Sequence, residues 1–367
     1  MKIGIDISQI VYEGTGVARF TEGLVKSILQ YDKTNEWTFF MSTLRKKPNQ
    51  ELQSTIINKG HKFVEWFIPP TVLSFLWNDI HHYSSPLVPD GQLIKGLDWF
   101  VTSDWTEPKL HVKKATIVHD LVFKKYPKTV QKQILHTQEK RLKWVTKESN
   151  VIFCDSMQTA ADLKEAYHIE DQRLVVNYPG VEITKIESSA DVLKKYGISS
   201  NFILTVGKQE PRKNYTRLID AYQKLEIANK PELLIIGIKG WGSKEKNVKG
   251  VHYLGFVEDS ELAELYSKAL FFVFPSLYEG FGYPLVEAMM YGCSTTVSAT
   301  SSLAEIGGDA TLMFDPKDTN SIEQALAQMI TDESLRAQLS EKGYNLASSF
   351  TWKRYYDTFI STLTQRV

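Results

Sequence analysis

The strongest constraint on this chain is a rhythm. Short apolar runs rich in β-branched and aromatic residues alternate with stretches of helical period. "KIGIDIS" (2–8) precedes a helical stretch from Gly16 to Tyr31. "EWTFFMS" (36–42), "KFVEWFIP" (62–69), "DWFVTS" (98–103) and "ATIVHDL" (115–121) follow, then a helix from about Thr129 to Lys147, then "NVIFCDS" (150–156). Strands separated by helices build βαβ units, and these require a parallel sheet covered on both faces.

A second series begins near Asn201. Its strands read "FILTVG" (202–207), "ELLIIGI" (232–238), "VHYLGF" (251–256), "FFVFPS" (271–276), "STTVSA" (294–299) and "TLMFD" (311–315), with helices expected at 214–227, 258–269 and 284–291. Pro and Gly interrupt the pattern in "NYPGVEITKIESSA" (177–190). After Thr319 the chain reads as helix to its end, with a break near 348–356. The expected architecture is therefore α/β, with two doubly wound, Rossmann-like domains facing a central cleft. The first spans 1–180 and regains a C-terminal helix at 351–367 that crosses back to it. The second spans 181–350.

Composition narrows the function. Lys+Arg and Asp+Glu both number 43, so the formal charge is zero and wholesale nucleic-acid binding is not expected. The two cysteines, Cys154 and Cys293, lie far apart in apolar settings and read as buried free thiols. The N-terminus reads as a strand rather than a signal peptide. No apolar run approaches the roughly 20 residues that span a bilayer. The expectation is a cytoplasmic protein, soluble or peripheral at the inner face of the membrane.

The most informative stretch is "PSLYEGFGYPLVEAMMYGC", Pro275 to Cys293. A helix does not tolerate Gly280, Gly282 and Pro284 in its interior, so Glu279 precedes a helix and Glu287 lies inside it. Pro284 suits the first turn. The free N–H groups and positive dipole end of a helix start seat a phosphate. Glu287 can accept two hydroxyl protons at one end of such a ligand, and Glu279 can do the same at the other. A nucleotide sugar has that form. A first-turn glutamate can also serve only as dipole complement.

With these residues placed, the chain resembles retaining glycosyltransferases of the GT-B fold, in glycosyltransferase family four. "EGFGYPLVEAMMYG" looks like the family's paired-glutamate motif. "VHDLVFKKYP" resembles its histidine-aspartate segment, "TVGKQEPRKN" its phosphate clamp, "SSLAEIGGDATLMFDPKD" its last strand-loop element and "YPGV" its interdomain connector. The resemblance implies that Glu279 contacts hydroxyls of the transferred sugar and Glu287 the ribose diol. Lys208 and Lys213 would neutralise the diphosphate, Lys208 standing where many members have Arg. Gly280, Phe281 and Gly282 would offer backbone N–H groups, with Tyr283 and Leu285 beside them in the donor site. His119 would touch the sugar, Gly14 and Gly16 would bring the first loop near the diphosphate and acceptor, and Glu305 is a further donor contact. Ala304 departs from a common proline there.

Competing signals are weaker. "GTGVAR" fails as a dinucleotide fingerprint because Arg19 holds the third glycine position and no acidic partner follows. No Asp-x-Asp occurs, and His81 and His82 are adjacent rather than at ligand spacing, so no metal and no cofactor are expected. His119 alone reads as a core histidine, and Asp120 as the cap of a turn. Segment 109–147 is rich in lysine with few acids to offset it. Such a run is either a solvated helix face or a contact with anionic lipid.

The expected function is transfer of a hexose, with retention, from a nucleotide-diphosphate sugar to a glycan or lipid-linked acceptor in surface-polysaccharide synthesis. "TIVHDLVFKKYP" with "GVARF" resembles bacterial transferases of this kind and makes GDP-mannose the first donor expected, with dTDP-rhamnose and UDP-hexoses open. A sugar-nucleotide epimerase or phosphorylase on the same fold, and an inactive nucleotide-sugar-binding partner, are the alternatives.

Overall fold

The computed structural model describes residues 1–366 except 13, 45, 47–48, 82–94, 103, 185–191, 199–200 and 242–245. His82, Ser103 at the end of an expected strand, residues 185–190 of the expected connector and 242–245 of the second domain lie outside the described residues. The chain forms two compact units. One comprises Met1–Gly180 with Trp352–Val367, the other Val181–Thr351.

The first unit is built on seven strands: β1 (Lys2–Asp6), β2 (Glu36–Ser42), β3 (Lys62–Trp66), β4 (Trp99–Thr102), β5 (Lys113–Val118), β6 (Val151–Cys154) and β7 (Leu174–Val176). All pair in parallel in the order β3-β2-β1-β4-β5-β6-β7. The order reverses between β1 and β4, so the carboxyl ends of those strands flank a crevice. β7 is absent from the sequence expectation. It is a half-buried edge strand of three residues, too short to show a period.

Apolar residues on both faces of this sheet are buried, among them Ile3, Ile5, Trp37, Phe39, Phe100 and Phe153. Helix Gly16–Tyr31 begins at Thr15, whose hydroxyl accepts from Ala18 N at 3.2 Å. The last helix, Trp352–Gln365, packs beside it. The Trp352 and Tyr355 rings meet Phe20 edge-on at 5.6 and 5.4 Å, and Phe359 lies 4.8 Å from Phe153. Gly23 makes room for this contact, since a Cβ there would stand 2.0 Å from the Trp352 ring.

Acids from inside and outside the basic segment meet several of its lysines. Lys124 pairs with Glu139, Lys125 with Asp162 and Glu165, and Lys140 with Asp79. Lys114 is buried against Glu107 at 2.9 Å and Glu148 at 2.7 Å. Arg141, fully buried, donates to Thr116 Oγ1 and Ile117 O. Lys128, Lys132, Lys143 and Lys147 stand exposed, the last two over the face of Trp144.

The second unit has six parallel strands: β8 (Phe202–Val206), β9 (Glu232–Ile236), β10 (Val251–Gly255), β11 (Phe271–Phe274), β12 (Thr295–Ser298) and β13 (Leu312–Phe314). Their order is β10-β9-β8-β11-β12-β13, with the reversal between β8 and β11. Leu218, Leu233, Ile235, Phe271, Val273, Ile322 and Leu326 belong to one buried cluster. Helices Tyr215–Lys224, Asp259–Lys268 and Tyr283–Met290 fall within three residues of expectation. The long terminal helix is instead three. Asp332 ends helix Thr319–Thr331 and caps Glu333–Ala347 through Leu335 N at 2.8 Å, and a second break precedes Trp352. Both cysteines are free and buried.

Candidate active site

Sheet order explains why the clamp segment and the paired-glutamate segment meet. β8 and β11 are neighbours, so the loops leaving their carboxyl ends, 207–214 and 275–282, run side by side. A short 3-10 turn, Pro211–Lys213, leads to Asn214, which takes the left-handed conformation (φ 59°) and starts the next helix. Its amide donates to Pro275 O at 3.1 Å and Pro316 O at 2.7 Å. Leu277 N donates to Arg212 O, and the Arg212 guanidinium donates to Tyr278 O, both at 2.9 Å. The two loops are thus sewn together through their backbones.

This framework holds Glu279 between two cations. Lys213 Nζ lies 2.6 Å from Oε1 and Arg212 Nη1 2.6 Å from Oε2. Glu279 is only 8% exposed. Burial alone would push its carboxyl up, but Arg212 and Lys213 outweigh that and draw it down to about 2. Burial also pushes the Lys213 ammonium below its ordinary range, with Glu279 opposing the shift. Lys208 is different. Its side chain is 44% exposed, and its ammonium lies over the Trp241 ring at 4.7 Å and stands 3.6 Å from Glu210.

Downstream, Gly282 caps the helix Tyr283–Met290 with φ 108°, and Pro284 sits in its first turn. A Cβ on Gly282 would meet Leu303 Cδ2 at 2.7 Å. Ser302 donates to the carbonyls of Glu279 and Phe281, and Ser301 Oγ accepts from Glu279 N. The loop carrying Gly280 and Phe281 is therefore pinned on both sides. Glu287, one turn into the helix, accepts from the Tyr266 hydroxyl at 3.2 Å. Leu285 is fully buried, whereas Tyr283 and Glu305 are half-buried.

Within the first unit, β5 and β6 align Val118 with Cys154, so the next residues, His119 and Asp155, emerge side by side. His119 Nδ1 and Asp155 Oδ2 are 2.7 Å apart. Burial favours the neutral ring, but the Asp155 carboxylate outweighs it and raises His119 to about 9. A pocket at the ends of β1, β4 and β5 is lined by Asp6, Gln9, Phe20, Asp104 and His119. Asp6 accepts from Ser8 N at 2.9 Å and from the Thr106 hydroxyl at 3.1 Å. Asp120 accepts from Val122 N, capping the following turn. Gly14 (φ 78°) and Gly16 are exposed at the start of helix Gly16–Tyr31.

Sequence reasoning thus brought Lys213 and Glu279 to one place and His119 to a strand end. It missed Arg212, Asp155, Asp6 and Asp104. Arg212 was visible beside Lys213 in "QEPRKN", and the aspartates stand where polar residues end apolar strands.

The two parallel-sheet units define the class. A sucrose-phosphate synthase from Thermosynechococcus elongatus has the same GT-B fold, with a TM-score of 0.76 over 100% of this chain and 99% of that one, at 16% identity. Residues 189–346 match the family described as "Glycosyl transferases group 1". An Escherichia coli "O-antigen chain mannosyltransferase B" is 36% identical over 204 residues, 48% of this chain and 53% of that protein. An Escherichia coli "Serotype-specific mannosyltransferase WbdA" is 32% identical over 222 residues, 56% of this chain and 27% of that protein. The chain therefore matches about half the length of the first relative and about a quarter of the second.

Proposed function

We propose that this protein transfers a hexose, with retention of configuration, from a nucleotide-diphosphate sugar to a glycan or lipid-linked acceptor in surface-polysaccharide synthesis, with GDP-mannose as donor. The observation that carries the reading is Glu279. It is an almost buried, ionised carboxylate set between Arg212 and Lys213, one loop before a helix start suited to phosphate. The mannosyltransferase names of the two relatives support the choice of sugar.

Each residue has a task in this reading. Lys208, exposed and attached to a flexible stem, meets the diphosphate first. Lys213 shares its ammonium between Glu279 and the diphosphate, while Arg212 keeps Glu279 ionised and oriented toward sugar hydroxyls. Glu287 accepts from the ribose diol. As the bond from sugar carbon to phosphate oxygen breaks, charge grows on the diphosphate, and fixed cations stabilise it. The acceptor oxygen bonds to the same face of the sugar, and its proton passes to the departing phosphate. These steps call on no metal and no redox cofactor.

Among the described residues, no helix is long and apolar enough to cross a membrane. Contact with anionic lipid through the exposed Lys128, Lys132, Lys143 and Lys147 belongs to the same proposal, because it would hold the enzyme beside a lipid-linked acceptor.

The test is thermal unfolding with GDP, UDP, dTDP or NAD, each with and without EDTA, followed by detection of nucleoside diphosphate and glycosylated product. A ligand at about 100 times its Kd adds roughly 2.7 kcal/mol to the folded state. A shift with GDP, indifferent to EDTA, supports the reading. A shift with UDP or dTDP alone reassigns the donor, and a shift with NAD alone overturns the reading.

A further inference from the structure

Asp155 is a buried carboxylate, 3% exposed, for which the ordinary structural duties are already filled. The helix that follows, Met157–Tyr167, is capped by Ser156, whose hydroxyl accepts from Thr159 N at 3.1 Å. Asp155 Oδ1 is buried with no hydrogen-bond partner among the described residues, and Oδ2 faces His119 Nδ1 at 2.7 Å. Leaving one oxygen of a buried carboxylate unsatisfied is costly, and such exceptions gather at functional sites.

We propose that Asp155 is a positioning residue for His119. It holds Nδ1–H, fixes the plane of the ring, and so leaves Nε2–H as a charge-assisted donor to an oxygen of a ligand at the pocket that His119 lines with Asp6, Gln9 and Asp104. One further contact packs against the ring and another holds its backbone. The Phe20 ring meets it edge-on at 4.6 Å, and the Thr159 hydroxyl donates to His119 O at 3.2 Å. The charged groups with the largest effect on the imidazole are carboxylates at three strand ends: Asp104 after β4, Asp120 after β5 and Asp155 after β6; the buried cation Arg141 stands 3.4 Å from Asp104. Burial favours the neutral ring and raises the Asp155 carboxyl, but each partner opposes that shift in the other, and the balance at His119 favours the imidazolium at neutral pH. A cationic ring cannot take the acceptor's proton, so its work is to bind and orient oxygen. The ligand's identity as a sugar rests on the function proposed above, whereas the pairing itself does not.

The experiment follows the imidazole signals of the full chain, ligand-free and labelled at histidine, by NMR across pH. The His119 resonance is the one missing from His119→Gln. The expected result is a protonated ring up to about pH 9 in the wild type. In Asp155→Asn, an isosteric change, the midpoint falls by at least two pH units while the circular dichroism stays native. A wild-type midpoint at or below the ordinary 6.5 overturns the proposal without any variant. So does a folded Asp155→Asn whose midpoint does not move. The second arm measures GDP release from GDP-mannose. Asp155→Asn lowers kcat/KM, and the double variant with His119→Gln falls no further than His119→Gln alone. Additive losses would make Asp155 merely structural. Absence of turnover in the wild type with GDP-mannose, UDP-glucose and dTDP-rhamnose would defeat the proposed function and leave the NMR arm to judge Asp155.

Discussion

Replacing Glu279 by glutamine removes a charge and almost nothing else, so its effect can be worked out from the site. The carboxylate stands 2.6 Å from both Lys213 and Arg212, with 11% of the side chain exposed. Its carboxyl is drawn from the ordinary 4.5 to about 2. A difference of that size is worth roughly 3 kcal/mol of folding free energy. Because the folded value lies below the unfolded one, this contribution is fully present above pH 4.5 and is lost as pH falls toward 2. Glutamine also leaves two close cations without a counter-ion, a situation that costs about 3–5 kcal/mol in buried pairs. Lys213, already pushed down by burial, can release its proton and hold the loss near the lower figure. At roughly 2–4 °C per kcal/mol, the second unit should melt about 6–12 °C lower at pH 7. Calorimetry of the full chain reads this directly. The gap to wild type should narrow between pH 4.5 and 2. Equal melting at pH 7, or a gap that widens with acid, would refute the assignment of Glu279 as an ionised, doubly paired group.

Other consequences can be measured on the same protein. Gly282→Ala places a Cβ 2.7 Å from Leu303 at a backbone angle of 108°; it should cost about 1–2 kcal/mol and abolish the thermal shift given by GDP. Asn214→Ala loses two bonds to buried carbonyls and a residue tolerant of positive φ, a loss of about 2–3 kcal/mol by denaturant titration, of which Asn214→Gly should recover only the backbone part. Lys128→Glu, Lys143→Glu and Lys147→Glu together should reduce flotation with vesicles containing anionic phosphatidylglycerol, and the wild-type association should weaken as salt rises; salt-independent flotation would dismiss the lipid contact.

What could be read in the sequence and what could not divides along physical lines. Strands such as "FFVF" and the "LLII" of β9 are apolar throughout because both sheet faces are covered, and that is visible without coordinates. The edge strand Leu174–Val176 carries no such signature. Asp332 hides a helix break because the apolar stripe resumes in phase on either side of a residue that serves both ends. The Glu279 cluster depends on which strands are neighbours. Sixty-six residues separate Lys213 from Glu279, and only the order β9-β8-β11 makes their loops adjacent. The same holds for His119 and Asp155, joined by the β5–β6 register. Motif spacing located the candidate residues, and topology supplied their partners.

The return of Trp352–Gln365 to the first unit bears on how the protein is made. On the ribosome, the seven-stranded sheet emerges long before the helix whose Trp352, Tyr355 and Phe359 fill its face against Phe20 and Phe153. Until the whole second unit has been translated, Gly23 and its neighbours border an open apolar trough. The nascent first unit must therefore wait, incompletely closed, while the second folds as an uninterrupted segment. Synthesis order and completion order are thus reversed. A chain halted at Thr351 would contain every strand of both sheets and still lack the final piece of the earlier one.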